Sequence, residues 1–435
     1  MIEMIFKLKP SNLPRYLKSF AYKLIGWTGE SDIETRIALA RFDYLNQLFL
    51  VSLNGGQKQE YDKPITRRVW IANWIARISV IYTVIRMTIF IYYQGNDEID
   101  LYLANLIPED VQPMKTSFLI LTNITFSVLF MLREYIHYIE RAGYLISFRF
   151  FLDFRIHGVF YERLNLTKRC SQLFNKICHL FMINGMRLLI GSCVGIFAIA
   201  IAFRLYFPRT YATKLHVLFV ILHIPIETIA TMTLFSPLIN IGVYLWTFAA
   251  LTTARMDSII DRIKYCLDDS NLSLSELRQI NLQVIQVFNY IDKSSSHLNY
   301  LLLFLDGLIA IEADIMLLFA LIYKLFPDVI SKIISFGGIT IHFFLVIGTY
   351  WASNYYVKVL SVHGYYTKLI LNTQTICSPR LKALEIQDRI TMNQTGIKIG
   401  DFGLITPELA LLFILENINF IMLLTCNINS LVETS

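Results

Sequence analysis

The chain has 435 residues, of which 55% are hydrophobic, 14% aromatic and only 17% charged, with a mean hydropathy of +0.50. That excludes the soluble globular class, in which about a quarter of residues are charged, and points to a polytopic membrane protein. The net charge of +6 fits basic loops beside a membrane better than a nucleic-acid surface, so no nucleic-acid partner is expected.

The N-terminal stretch MIEMIFKLKPSNLPRYLKSF lacks the unbroken apolar core and small-residue cleavage site of a signal peptide. Residues 1–68 therefore read as a cytosolic N-terminal segment. A bilayer core of about 30 Å takes roughly 20 apolar residues of helix. Seven stretches qualify, near 69–93, 115–138, 183–207, 216–250, 298–323, 333–360 and 404–427. The expected fold class is all-α: seven transmembrane helices with cytosolic helical extensions.

The loops set the orientation. Segment 94–114 carries Asp97, Glu98, Asp100, Glu109 and Asp110 and no lysine or arginine. The run before the first span carries Lys58, Lys63, Arg67 and Arg68, and the second-to-third, fourth-to-fifth and sixth-to-seventh loops are also basic. The positive-inside rule then places the N-terminus in the cytosol and the C-terminus outside. On that layout the sequon at Asn123 lies in a span and those at Asn165, Asn271 and Asn393 lie in the cytosol, so none is open to glycosylation. Below the membrane, Leu277, Ile280, Val284, Val287, Phe288 and Ile291 form a helical stripe. It rests either on its own bundle or against other subunits.

Enzyme signatures are missing: the sequence has no P-loop, no G-x-S-x-G, no H-E-x-x-H and no clustered histidine boxes. The six cysteines form no CxxC and have no zinc-like spacing with histidine, so no disulfide framework, metal or cofactor is expected. Gly191 and Gly195 match GxxxG, which predicts close helix packing.

Ionisable residues inside spans carry most of the information. His223 and Glu227 are four apart, share a face and can pair. In the fifth span Glu312 and Asp314 point about 160° apart, whereas Asp306 and Asp314 differ by about 80°. The sixth span adds His342, Phe343, Tyr350 and Trp351. Two readings stand. These groups satisfy one another within the bundle, or His223, Glu227, Glu312, Asp314, His342, Tyr350 and Trp351 line an outward-opening pocket for a small hydrogen-bonding ligand.

The seventh span starts cleanly, with Thr406 as N-cap, Pro407 at the first helical position and Glu408 in the first turn. Glu416, Asn419, Phe420, Leu423 and Asn427 then form one stripe, within about 60° of Glu416, while Asn417 lies about 100° away. The stripe is either a seam against neighbouring helices or one wall of a water-filled pore. In a pore Glu416 would favour cations and Leu423 would narrow the path. One chain supplies one such helix, so a pore needs several subunits.

At the same place the chain resembles the insect chemoreceptor superfamily, the gustatory branch more than the odorant branch. The last helix of that family carries Thr-Tyr, five apolar residues, then Gln-Phe. Here the frame reads Asn419, Phe420, IMLLT, Cys426, Asn427. The aromatic second position and the spacing are kept, and the Thr, the Gln and the final Phe are replaced. The Gly-x-Phe element before the helix, GDFGLITPELALLF, is also similar. The resemblance implies a plasma-membrane receptor that is a ligand-gated, non-selective cation-channel subunit in a homo- or hetero-tetramer, surrounded by membrane lipid. Its ligand would be a small tastant such as a sugar or bitter compound. The domains would be a six-helix ligand-binding bundle over 69–360, a cytosolic anchor over 361–403, and a pore helix with a short outer tail over 404–435. The alternatives are a G-protein-coupled receptor, which lacks support from Asp-Arg-Tyr or Asn-Pro-x-x-Tyr motifs, and a secondary transporter, for which repeat symmetry is missing.

Overall fold

The computed structural model describes residues 32–52, 66–93, 97–104, 112–142, 149–158, 162, 164–206, 211, 213–268, 274–318, 320, 328–372, 382, 384–388, 396–401 and 403–433. Their elements are α1 (Asp32–Leu48), α2 (Arg67–Tyr92), α3 (Asp97–Tyr102), α4 (Gln112–Ala142), α5 (Arg149–His157), α6 (Lys168–Tyr206), α7 (Lys214–Asp268), α8 (Leu274–Leu317), α9 (Asp328–Asn372), β1 (Lys398–Ile399), β2 (Gly403–Leu404) and α10 (Pro407–Glu433). Among the described residues five helical stretches are long and apolar enough to cross a membrane: α2, Leu119–Arg141 of α4, Lys168–Ala198 of α6, α7, and Ile334–Leu371 of α9. They match the expected first, second, third, fourth and sixth spans. The expected fifth and seventh spans lie on α8 and α10, and some side chains of both fall outside the described residues.

α7 has 55 residues, roughly 80 Å of helix at 1.5 Å per residue. α8 and α9 have 44 and 45, roughly 65 Å each. A bilayer core takes only about 30 Å of helix, so the candidate spans α7 and α9 are longer than it needs, and together with α8 they form a further core. They build one from Met256, Ile259 and Ile263 of α7, the α8 stripe, and Val359, Val362 and Tyr366 of α9. All six expected stripe residues are buried there, so this face rests on the chain's own bundle. Within it the Tyr366 hydroxyl donates to Asn281 Oδ1, which satisfies a phenol that is otherwise fully enclosed.

A separate cluster docks α1. Leu39 and Phe42 pack with Phe154 of α5, Phe174 and Met182 of α6, and Leu251 of α7. Asp43 Oδ1 accepts from the Tyr244 hydroxyl at 2.8 Å, and Arg155 Nη1 donates to its Oδ2 at 3.4 Å. Burial pushes the Asp43 carboxyl up to about 6, outweighing the lowering by Tyr244 and Arg155.

The third cluster joins Val80 of α2, Leu129 and Leu132 of α4, Leu234 and Ile241 of α7, and Leu298 and Leu301 of α8. Polar side chains among these helices turn back on the chain. Thr231, Thr233 and Asn240 donate to the carbonyls of Glu227, Ile229 and Ser236, one turn back, at 2.8, 2.8 and 2.9 Å. Asn123 Nδ2 reaches from α4 to Thr88 Oγ1 of α2 at 2.8 Å. Gly191 and Gly195 depart from expectation: a Cβ at either would meet nothing within 4 Å. α6 turns the face bearing Leu189 and Cys193 inward instead.

A small antiparallel hairpin, β1 with β2, leads into α10. It is fastened to α8: Lys398 N donates to Ser295 Oγ at 2.8 Å, Gly400 N to the Asn299 carbonyl at 3.0 Å, and the Tyr300 hydroxyl to Asp401 Oδ1 at 3.1 Å. Gly400 has φ +47°, and a Cβ there would stand 2.7 Å from Leu303 Cδ2. Only glycine meets both demands.

The Asp43 site yields a pH dependence. Its folded-state value lies above the ordinary 3.8. Its contribution to stability is therefore full below about pH 4, declines as pH rises through about 6, and is flat beyond. Thermal melts of the purified protein are expected to show that decline, and Asp43→Asn to flatten it.

Candidate functional site

The expected ligand-binding residues fall into three places. The first is where α7 begins. Glu227 does not pair with His223. Its Oε1 accepts from Arg86 Nη1 of α2 and its Oε2 from Arg204 Nη2 of α6. The arginines are 6% and 5% exposed, so the single carboxylate is the counter-charge for two buried cations. Backbone carbonyls take further donors: Arg86 Nε to Leu103 O at 2.6 Å and Nη2 to Ala104 O at 3.1 Å, Arg204 Nη1 to Val220 O at 3.2 Å. Enclosed guanidinium groups need this saturation. His223 lies beside the cluster, its Nε2 2.7 Å from the Tyr82 hydroxyl and its Nδ1 2.6 Å from the Phe219 carbonyl. Tyr102 of α3 meets Phe219 edge-on at 5.3 Å. Four segments of chain thus converge: α2, α6, α7 and the stretch from α3 to Ala104.

The second place is between α8 and α9. Gly338 lets the two helices approach closely: a Cβ there would stand 3.1 Å from Leu317 Cδ2 and 3.2 Å from the Ala313 carbonyl. One residue on, Asp314 is fully buried, with its Oδ1 2.9 Å from His342 Nε2. This pair shares no described partner with the Glu227 cluster. Asp306, eight residues earlier, is half-buried. The Glu312 and Trp351 side chains lie outside the described residues.

The third place is a cleft of about 220 Å³ between α9 and α10, lined by Val346, Ile347, Tyr350, Ala410, Leu411 and Ile414. Tyr350 lies on α9 two turns from His342 and is 49% exposed. The lining is apolar.

α10 begins as its sequence predicts, with Leu409 N donating to Thr406 Oγ1 at 3.3 Å. It packs against α9 and, over a shorter stretch, α8. The remainder of its surface is open. Glu416 and Asn419 are exposed, and Phe420 and Leu423 are 39% and 62% exposed. Asn417, off the stripe, donates to the Phe413 carbonyl at 2.7 Å. The Asn427 side chain lies outside the described residues. Four of the five stripe residues are thus placed, all exposed among the described residues.

Sequence reasoning missed Arg86, Arg204 and Tyr82. The signal for the arginines was present: each is a cation inside or at the end of an apolar span, and such residues need a partner. Glu227 was assigned to the residue four along its own helix because spacing in sequence shows only neighbours on one helix.

No family model matches the chain, and no curated protein matches it by sequence. The backbone is similar to that of the insect olfactory receptor OR5 from Machilis hrabei, with a TM-score of 0.55 at 10% identity over 88% of this chain and 97% of that one. The same receptor in complex with eugenol matches with a TM-score of 0.52 at 9% identity, over 92% of this chain and 99% of that one. At these identities the likeness is one of fold.

Glu227→Gln would remove the carboxylate that the two buried guanidinium groups share. A loss of roughly 3–5 kcal/mol is expected, read as a lower melting temperature of the detergent-purified protein. Adding Arg204→Gln removes one of the two cations and should recover part of that loss; a simple sum of the two single effects would refute the coupling.

Proposed function

We propose that the chain is a chemosensory receptor, of taste type, that acts as a subunit of a ligand-gated, non-selective cation channel. The observation that carries this reading is the open face of α10, where Glu416 and Asn419 stand beside Phe420 and Leu423. A carboxylate turned to hydrocarbon costs several kcal/mol. Facing a wet axis built from the same helix of several copies, it is solvated and draws cations. The fold likeness to an olfactory receptor over nearly its whole length supports the same reading, as does that receptor's binding of eugenol, a small molecule. On this reading the chain crosses the plasma membrane seven times, with its N-terminus in the cytosol, and assembles as a homo- or hetero-tetramer.

The proposed ligand site lies among α7, α8 and α9. Asp314 and His342, 2.9 Å apart, offer polar atoms with no hydrogen-bond partner among the described residues, Glu312 and Trp351 belong to the same two helices, and His223 and Glu227 mark the outer end. Glu227 is committed to two arginines, so its role there is to hold the outer wall. α9 carries both His342 and the Tyr350 cleft beside α10. A ligand that shifts α9 would therefore alter the packing of the proposed pore helix.

Patch-clamp recording from cells expressing the chain, alone or with related subunits, tests the proposal. A tastant-evoked cation current without coupled transport is expected; coupled proton or sodium flux would favour a transporter instead. Glu416→Gln is expected to change cation permeability ratios or block severalfold while leaving ligand sensitivity in place. Asp314→Asn is expected to shift ligand sensitivity by about tenfold, the scale of one charge-assisted hydrogen bond, with permeation unchanged. Unchanged behaviour in both variants would remove these assignments.

A further inference from the structure

The outward face of α2 has a layout that the receptor reading does not use. Trp70, Ile71, Trp74, Ile75, Ile78, Ile81, Ile85 and Tyr92 are between 42% and 78% exposed. At 100° per residue they fall, with Arg67, within an arc of about 140°. Asn73, Ala76, Val80, Thr83 and Phe90 are buried on the other side, where α2 meets α4 and α7. Aromatic rings stand at both ends of the exposed stripe. From Trp70 to Tyr92 is 22 steps along the helix, about 33 Å, which matches a hydrocarbon core with an aromatic belt on each side.

The two ends differ in charge. At the Trp70 end Arg67 and Arg68 are exposed, and the first turn of α2 holds no acidic residue. Neither arginine has a described hydrogen bond or ion pair. The tryptophans beside them are held in place. Trp74 meets Trp70 edge-on at 6.0 Å, and the Arg77 guanidinium lies 5.3 Å from the centre of the Trp74 ring. Arg77 is itself fixed by Glu134 of α4. This end therefore presents an aromatic ledge, with two cations that have no partner among the described residues, above a row of isoleucines.

We propose that this end of α2 binds an anionic phospholipid, with the headgroup phosphate on Arg67 and Arg68, the interfacial region against Trp70 and Trp74, and an acyl chain along Ile71, Ile75 and Ile78. A second copy of the chain is the less fitting occupant. Helices that pack closely in a membrane do so through glycine, alanine and serine, and the exposed residues of this face between Trp70 and Tyr92 are tryptophan, isoleucine and tyrosine. The proposal rests on the membrane-spanning reading of α2. With the N-terminus in the cytosol, the arginine end meets the leaflet in which anionic lipids are concentrated.

The test uses the full chain purified in detergent. Phosphatidylserine and phosphatidylcholine are titrated separately, and retained lipid is counted by native mass spectrometry. The wild-type chain is expected to retain phosphatidylserine in preference to phosphatidylcholine. Arg67→Gln with Arg68→Gln is expected to lower phosphatidylserine retention by about fivefold per arginine, with the melting temperature unchanged. Tryptophan quenching in wild-type protein by brominated phosphatidylserine, exceeding that by brominated phosphatidylcholine, gives a readout that needs no variant. Equal retention of the two lipids, or equal phosphatidylserine retention by wild type and double variant, overturns the proposal. So does a change in the number of chains per particle when Trp70 and Trp74 are replaced by leucine, since that assigns the face to another copy. Failure of the chain to enter membranes at all would overturn the spanning reading instead, and cell fractionation separates that outcome from the others.

Discussion

Hydrocarbon offers no hydrogen-bond partner, so any polar group carried into a bilayer must be met by the chain itself or turned toward water. Several of the described polar groups in the apolar helices follow the first course. Hydroxyls and amides along α7 close onto carbonyls one turn back. Asn123 and Thr88 satisfy each other between α4 and α2. Arg133 of α4, 1% exposed, gives Nη1 to Glu134 Oε1 at 2.7 Å and Nη2 to Asn73 Oδ1 of α2 at 2.5 Å. Arg86 and Arg204 share Glu227 and take three backbone carbonyls besides. Each arrangement costs more to break than it contributes when whole, because a lone partner would be left desolvated. The polar contacts therefore fix which helices are neighbours, and the apolar clusters fill the space between them.

Glu416 and Asn419 of α10 are exposed, on a helix whose main described contacts are with α9 and α8; in the proposed channel they take the other course. The contrast with the saturated arginines is what gives the α10 stripe its weight in the proposed function. A chain that buries Arg86 with an acceptor for each guanidinium nitrogen has the means to satisfy an enclosed charge, and here it leaves a carboxylate on an open face. The outward stripe of α2 is open as well, but it is apolar between its aromatic ends. The two open faces thus differ in chemistry: one suits lipid and the other suits water.

Three long helices link these regions mechanically. α7 carries Glu227 near one end and Met256 and Ile263 of the lower core towards the other. α8 carries Asp314 above the buried stripe, and α9 carries His342, Tyr350 and Tyr366 in turn. A continuous helix passes a displacement along its length, so α8 and α9 join the upper sites to the lower core, while in α7 Pro237 lies between Glu227 and Met256 and is a point of bending. The hairpin before α10 clips that helix to Asn299 and Ser295 of α8. Any movement of α10 relative to α9 therefore pivots close to this clip.

The sequence by itself determined what each helix must do along its own axis. Hydropathy over windows of about 20 residues located the apolar stretches, the 3.6-residue period identified the buried face of α8 and the polar stripe of α10, and Thr406 with Pro407 marked where α10 starts. All of these depend on residues near one another in the chain. Tertiary structure alone decided which helices meet and through which atoms. It gave Glu227 to Arg86 and Arg204, 141 and 23 residues away, rather than to His223. It brought Asp314 to His342 through the close approach at Gly338, and it left Gly191 and Gly195 facing open space. Helical periodicity places a side chain on a face and says nothing of what lies opposite. That is settled by the packing of whole helices, where one desolvated charge outweighs many local preferences.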